Sequence, residues 1–310
     1  MKGLIFLLAI VFSLSSLCFG QGIPSIEQFY PQIPSTGHET VPTSPVPGVP
    51  ETGDEMEKLR LAQALSIDEA EEIEIGRAMA ASLLARFGMY SDERLTIYIN
   101  LVGKAVAEVS DRPNMDYHFA ILNTPMVNAF SCPGGYIFIT LGALREMRNE
   151  AELAGVLSHE IAHVTQRHII RAIQNSNILA FALKQHSEQS PLKDRAVFDR
   201  VVSFAVDILF KGLGKEDEYD ADRIAVTYAI AVGYNPDGLR DFLIRLKQVK
   251  GNNSRALAVL SRTHPMIDDR VSRIDAEVKE SNTDMAAMQS LQKRFLGYAG
   301  IDIASILYGL

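Results

Sequence analysis

His159, Glu160 and His163 are the residues whose types and spacing point most directly to chemistry. On a helix, residues four apart lie nearly above one another, so the two imidazoles face the same way with Glu160 beside them. Two neutral imidazoles at that spacing can hold Zn²⁺, and an adjacent carboxylate can take a proton from a water the ion has acidified. The chemistry is metal-assisted hydrolysis, and HExxH on a helix is the signature of zinc peptidases. The plain alternative is a pair of hydrogen-bonded core histidines. The setting argues against it. Residues 153–168, LAGVLSHEIAHVTQRH, read as one helix that is apolar nearly all the way round. Such a helix belongs in a domain interior, where an ionised Glu is costly unless a cation compensates.

Catalytic zinc usually takes three protein ligands and keeps one position for water. The helix supplies two. The Gly and His that would extend the motif in metzincins are absent, their places taken by Gln166 and Ile169. His168 lies five residues past His163 and reads as structural. The better third ligand is Glu218, in KEDEYDADRIAVTYA. Glu216, Asp220, Arg223 and Thr227 share a solvated helix face, whereas Glu218, Ala221, Asp222, Ala225 and Ala229 share a face of small residues. Carboxylates on a face that packs closely need a cation. Asp222, one turn on, is placed to accept from the outer nitrogen of a ligating histidine. A helix start, where acids favour the dipole, explains Glu216 and Asp217 but not this pair.

With those residues in hand, the chain resembles the HtpX/BepA group of zinc metalloproteases, to which the CAAX prenyl endopeptidases are related. The resemblance runs over about 66–274. It includes the segment NAFSCPGGYIFITL at 128–141 and the Thr263-His264-Pro265 element with Arg270. It implies one Zn²⁺ per chain, with Glu218 as a ligand. It also implies that His264 lies at the active site, able to approach the metal, and that Arg270 borders the cleft. The fold implied is α+β and mostly helical, zincin-like (gluzincin), with a small β-sheet beside the HExxH helix. Membrane-embedded members carry transmembrane helices, and BepA-type members carry a C-terminal helical-repeat domain. Neither is seen in this sequence, which resembles a periplasmic, protease-domain-only member.

The elements that must position these groups follow from local signals. Ser66 with Glu69 forms a capping box for a helix over 67–87, closed by Gly88. Ser91 caps a helix over 92–109. One strand is expected at 117–123 and another over 128–131 and 135–140, interrupted by Pro133-Gly134-Gly135, then a short helix at 141–148 and the HExxH helix from 150 into the 170s. Gly135, Tyr136, Ile137 and Phe138 read as an edge strand on which an extended substrate pairs by its main chain. The apolar runs 178–183 and 201–213 read as amphipathic packing helices, the alternative being a mobile flap over the cleft or a surface that touches lipid. Helices follow at 216–231, 235–249, 267–279 and 283–295, with an apolar tail, 301–310, against the core.

The chain has 310 residues, 47% hydrophobic, with a net charge of −8 and no basic run, which argues against nucleic-acid partners. Residues 1–20 read as a secretory signal: Lys2, then an apolar centre over 4–17 too short to span a membrane. Secretion across an inner membrane to the periplasm is expected. A lipid anchor at Cys18 is the alternative, though Leu17 replaces the small residue such signals prefer. Residues 21–54, with seven of the thirteen prolines, read as a disordered linker. The protease domain is expected at 55–280, with a C-terminal helix and tail over 281–310.

The expected reaction is peptide hydrolysis with Glu160 as general base and His264 or Arg270 stabilising the oxyanion. Unfolded or misfolded envelope proteins are the expected substrates, with peripheral contact to a membrane or to outer-membrane assembly machinery. The rival is a non-proteolytic chaperone or assembly factor in which His264, as a fourth ligand, closes the metal site.

Overall fold

The computed structural model describes residues 66–176, 191–248, 262–264 and 266–300. The chain divides into two units, Met1–Gly53 and Asp54–Leu310, and every described residue lies in the second. The signal segment, the proline-rich arm, the run 178–183, Pro265 and the tail 301–310 lie outside the described residues.

Helix α1 (Glu69–Phe87) starts two residues later than expected. Asp68, not Ser66, is its cap: it accepts from the Glu71 amide at 2.8 Å, and Glu71 accepts from the Asp68 amide at 3.2 Å. Asp caps as well as Ser, and Glu71 supplies the reciprocal bond. Helix α2 (Glu93–Glu108) is capped by Asp92.

Strands β1 (His118–Leu122), β2 (Ala129–Cys132) and β3 (Tyr136–Thr140) form one sheet in the order β1-β3-β2. β3 runs parallel to β1 and antiparallel to β2. The middle position of β3 corrects the expectation for Gly135, Tyr136, Ile137 and Phe138: both edges of that strand are paired, so it offers none to a substrate. The alternation explains its composition. Ile137 and Ile139 join one apolar cluster, and Phe138 joins the other on the opposite face. A strand covered on both faces reads as continuously apolar. Among the described residues the free edge near the HExxH helix belongs to β2. Thr140 donates to the Asn128 carbonyl, so by the alternation of an antiparallel ladder Ala129 and Ser131 turn their backbone groups away from β3.

After α3 (Leu141–Glu146) comes α4 (Glu150–Thr165), the HExxH helix, in which every residue is buried. Helices α5 (His168–Gln174), α6 (Arg195–Lys211), α7 (Lys215–Val232), α8 (Gly238–Gln248), α9 (Ile267–Glu280) and α10 (Gln292–Phe295) follow. α2, α7, α8 and β2 pack on α4. The approach of α8 is close: a Cβ on Gly238 would sit 2.1 Å from the Ala151 carbonyl oxygen. α6 buries Val201, Ala205 and Leu209, as a packing helix should.

Two expected helices are corrected. The HExxH helix does not run into the 170s. It breaks at Arg167, whose φ of 55° and ψ of 36° are left-handed. Arg167 is held there by Glu72, 2.8 Å away and buried, and by a 2.6 Å bond to the Ile67 carbonyl. Residues 283–295 are not one helix either. A 3₁₀ turn, Met285–Ala287, precedes the short α10. Between them the Ser290 carbonyl accepts from the Glu150 and Ala151 amides. Those are free donors at the start of α4, and satisfying them requires a non-helical strand of chain.

Candidate metal centre

α4 and α7 bring the expected ligands together. The Nε2 atoms of His159 and His163 lie 3.0 Å apart, with the rings at 88°. Glu218 Oε2 is 3.6 Å from His159 Nε2, and its Oε1 is 3.5 Å from His163 Nε2. One donor atom each from His159, His163, Glu218 and His264 all lie within 4.8 Å of one another.

The residues fit a divalent cation. Glu218 Oε1 is buried without a hydrogen-bond partner, a costly state for a carboxylate oxygen. Glu160, Glu218 and Asp222 bring three buried carboxylates to the centre, where Arg270 carries the one fixed positive charge named among them. Two imidazole nitrogens and a carboxylate oxygen are a donor set that zinc takes.

The supporting residues set the orientation. His159 Nδ1 lies 2.9 Å from Asp222 Oδ1, an acceptor for an Nδ1 proton, and Nε2 is the ring atom that turns to the centre. Asp222 thus occupies the place expected of it. Arg270, 2% exposed, donates from Nε and Nη2 to the two oxygens of Asp222, each at 2.7 Å, and its Nη1 is 3.1 Å from Glu218 Oε2. Its guanidinium spans both carboxylates of α7.

The electrostatics follow. Burial opposes ionisation of Glu218, but the charges of His264 and Arg270 and bonds from His159 and His264 hold it well below the carboxylate range. Burial likewise opposes Asp222, which Arg270 and His159 keep low. Burial, then the charge of His159, drives His163 well below its ordinary value. For His159, burial and Arg270 push downward, yet the Asp222 and Glu218 carboxylates outweigh them and lift it to about 9. The centre favours positive charge.

Arg262 and Thr263 are helical where a turn was expected, and His264 follows them at a bend. Its Nδ1 is 2.9 Å from Glu218 Oε2, and its Nε2 is 4.0 Å from Glu160 Oε1. Thr263 Oγ1 donates to Asn128 Oδ1 at 3.3 Å and ties this segment to the start of β2. Two hollows meet at Glu160, Ala129 and His264. One is walled by Phe130, Ser131, Ile208 and Leu213, the other by Val156, Leu239, Phe242 and Leu243. Gly135, Tyr136, Ile137 and Phe138 line neither.

One neighbour was not expected. His168 Nδ1 lies 2.7 Å from His163 Nδ1. On an unbroken helix a five-residue step would turn its ring about 140° away. The left-handed Arg167 redirects it, and no local pattern announces that turn.

The sequence model of peptidase family M48 matches residues 93–278, more than half of the chain. The beta-barrel assembly-enhancing protease of Yersinia pestis is 30% identical over 261 residues, 78% of this chain and 51% of that protein. Its Escherichia coli (strain K12) counterpart is 26% identical over 269 residues, 82% and 53% respectively. The mitochondrial metalloendopeptidase OMA1 of Schizosaccharomyces pombe is 26% identical over 194 residues, 61% and 56%. The chain spans about half the length of the curated relatives it matches.

Proposed function

The chain belongs to peptidase family M48, the HtpX/BepA-like metallopeptidases, and from that premise we propose that it is a zinc endopeptidase with Glu160 as its general base. The observation that carries this reading is the convergence of donors from His159, His163 and Glu218 beside Glu160 in a buried, anionic centre. Zinc held by those three residues would supply Lewis acidity and a water acidified to a pKa of about 7. Glu160 takes that water's proton on its carboxylate and delivers it to the leaving amine. Asp222 keeps His159 in the ligating tautomer, and Arg270 holds Asp222 and Glu218 in register. Because Arg270 is engaged by both carboxylates, His264 is the better placed of the two residues to stabilise an oxyanion.

The substrate is an extended chain lying along β2. The outward backbone groups of Ala129 and Ser131 pair with it, and main-chain pairing binds with little sequence preference. That suits unfolded envelope proteins, a class also suggested by relatives named for enhancing β-barrel assembly. Among the described residues no helix is long and apolar enough to cross a membrane. With the apolar stretch over 4–17 read as a secretory signal, the proposed compartment is the periplasm.

A second reading rests on His264. Four converging protein donors are the complement of a closed zinc site, whereas a catalytic site has three and a water. In that reading the described arrangement is a latent state that opens when the 262–264 segment moves.

Incubating the full chain with unfolded casein, with and without a chelator, tests the proposal. Chelator-sensitive cleavage that Glu160→Gln abolishes at unchanged zinc content supports it. Zinc-loaded protein that cleaves nothing but suppresses aggregation supports the chaperone alternative. Glu218→Ala is expected to lose zinc.

A further inference from the structure

We propose that His168 is the positioning residue of His163: it accepts the Nδ1 proton of that ring and so fixes the tautomer whose Nε2 faces the centre. The inference rests on the metal-site reading above. A neutral imidazole carries one N–H, and the 2.7 Å contact between His163 Nδ1 and His168 Nδ1 accommodates a single proton. Two assignments are open. If His168 donated, the proton of His163 would sit on Nε2 and point at His159 Nε2 and Glu218, where a cation belongs. The other nitrogen of His168 would then be a bare lone pair. That nitrogen, Nε2, is buried, has no hydrogen-bond partner, and lies 3.6 Å from Asp217 Oδ1 and 3.6 Å from Asp220 Oδ2. A lone pair aimed at two carboxylates is repelled.

If His163 donates instead, neither end is opposed. Nε2 of His163 is free to ligate, and the N–H of His168 faces the acids. Arg171 holds Asp217 at 2.9 Å, and Arg223 holds Asp220 at 2.7 Å, so the pair is fixed from outside. The two ligating histidines thus have separate supports: Asp222 for His159, and His168 with Asp217 and Asp220 for His163. α7 supplies every acid involved.

Two measurements on the full chain test this. Nitrogen-15 NMR of the zinc-loaded protein should find the proton of His168 on Nε2 and its Nδ1 unprotonated. A proton on His168 Nδ1 would overturn the proposal. Zinc affinity, by competition with a chromophoric chelator, should fall about 10- to 100-fold in His168→Phe, which keeps a ring but no acceptor. His168→Gln, whose amide oxygen can accept, should restore most of it. His168→Phe that folds and binds zinc as tightly as wild type sinks the proposal alone, whereas wild type that takes up no zinc sinks the functional reading with it. Should His168→Phe fail to fold, the wild-type proton positions decide.

Discussion

His264 Nδ1 and Glu218 Oε2 lie 2.9 Å apart, joining the 262–264 segment to the acid expected to be the third ligand. In the latent-state reading this contact makes His264 a brake. His264→Ala is expected to raise the initial rate of casein cleavage several-fold at unchanged zinc content. A lowered rate would instead assign His264 to oxyanion stabilisation.

Asp222 and Arg270 form a bidentate pair, both partners about 1–2% exposed. Removing one partner of a buried ion pair costs about 3–5 kcal/mol, and Glu218 remains to hold part of the guanidinium. Asp222→Asn should therefore cost about 3 kcal/mol, read as a lowered urea midpoint, and should weaken zinc binding. An unchanged midpoint would show that the pair contributes nothing net.

Glu150, at the start of α4, accepts from Tyr98 at 2.8 Å and from Tyr234 and Arg294. Burial raises its carboxyl, but the bonds from Arg294, Tyr234 and Tyr98 outweigh burial and hold it below its ordinary 4.5. A depressed folded-state value means that the native state binds fewer protons, so the contribution is complete above about pH 4.5. It is lost as pH falls through the depressed value. Glu150→Gln should be less stable than wild type at pH 7, and the gap should narrow in acid. Urea midpoints at pH 7 and pH 3 check this; a gap that widens in acid refutes it.

Ser131 lies at an outward-facing register position of β2. Proline there removes the outward N–H without breaking the ladder to β3, and an edge strand tolerates it. Ser131→Pro should raise the KM for unfolded casein with little change in zinc content. An unaltered KM in a folded variant would exclude β2 as the substrate strand.

Much of this site was legible in the chain itself. A helix repeats every 3.6 residues, so the spacing of His159 and His163, and of Glu218 and Asp222, determined which side chains share a face. Apolar flanks determined that the HExxH helix is interior, because burial follows from composition along one element. What local pattern could not carry was decided by contacts between distant segments. β3 became the middle strand because β1 returns beside it. The 283–295 stretch gave up its helix because the Ser290 carbonyl serves the free amides of Glu150 and Ala151. Arg167 took a left-handed turn because Glu72, ninety-five positions earlier, holds its guanidinium, and that turn alone brings His168 to His163. Spacing fixes direction only within an unbroken element; where one ends, the tertiary structure chooses what the next side chain meets.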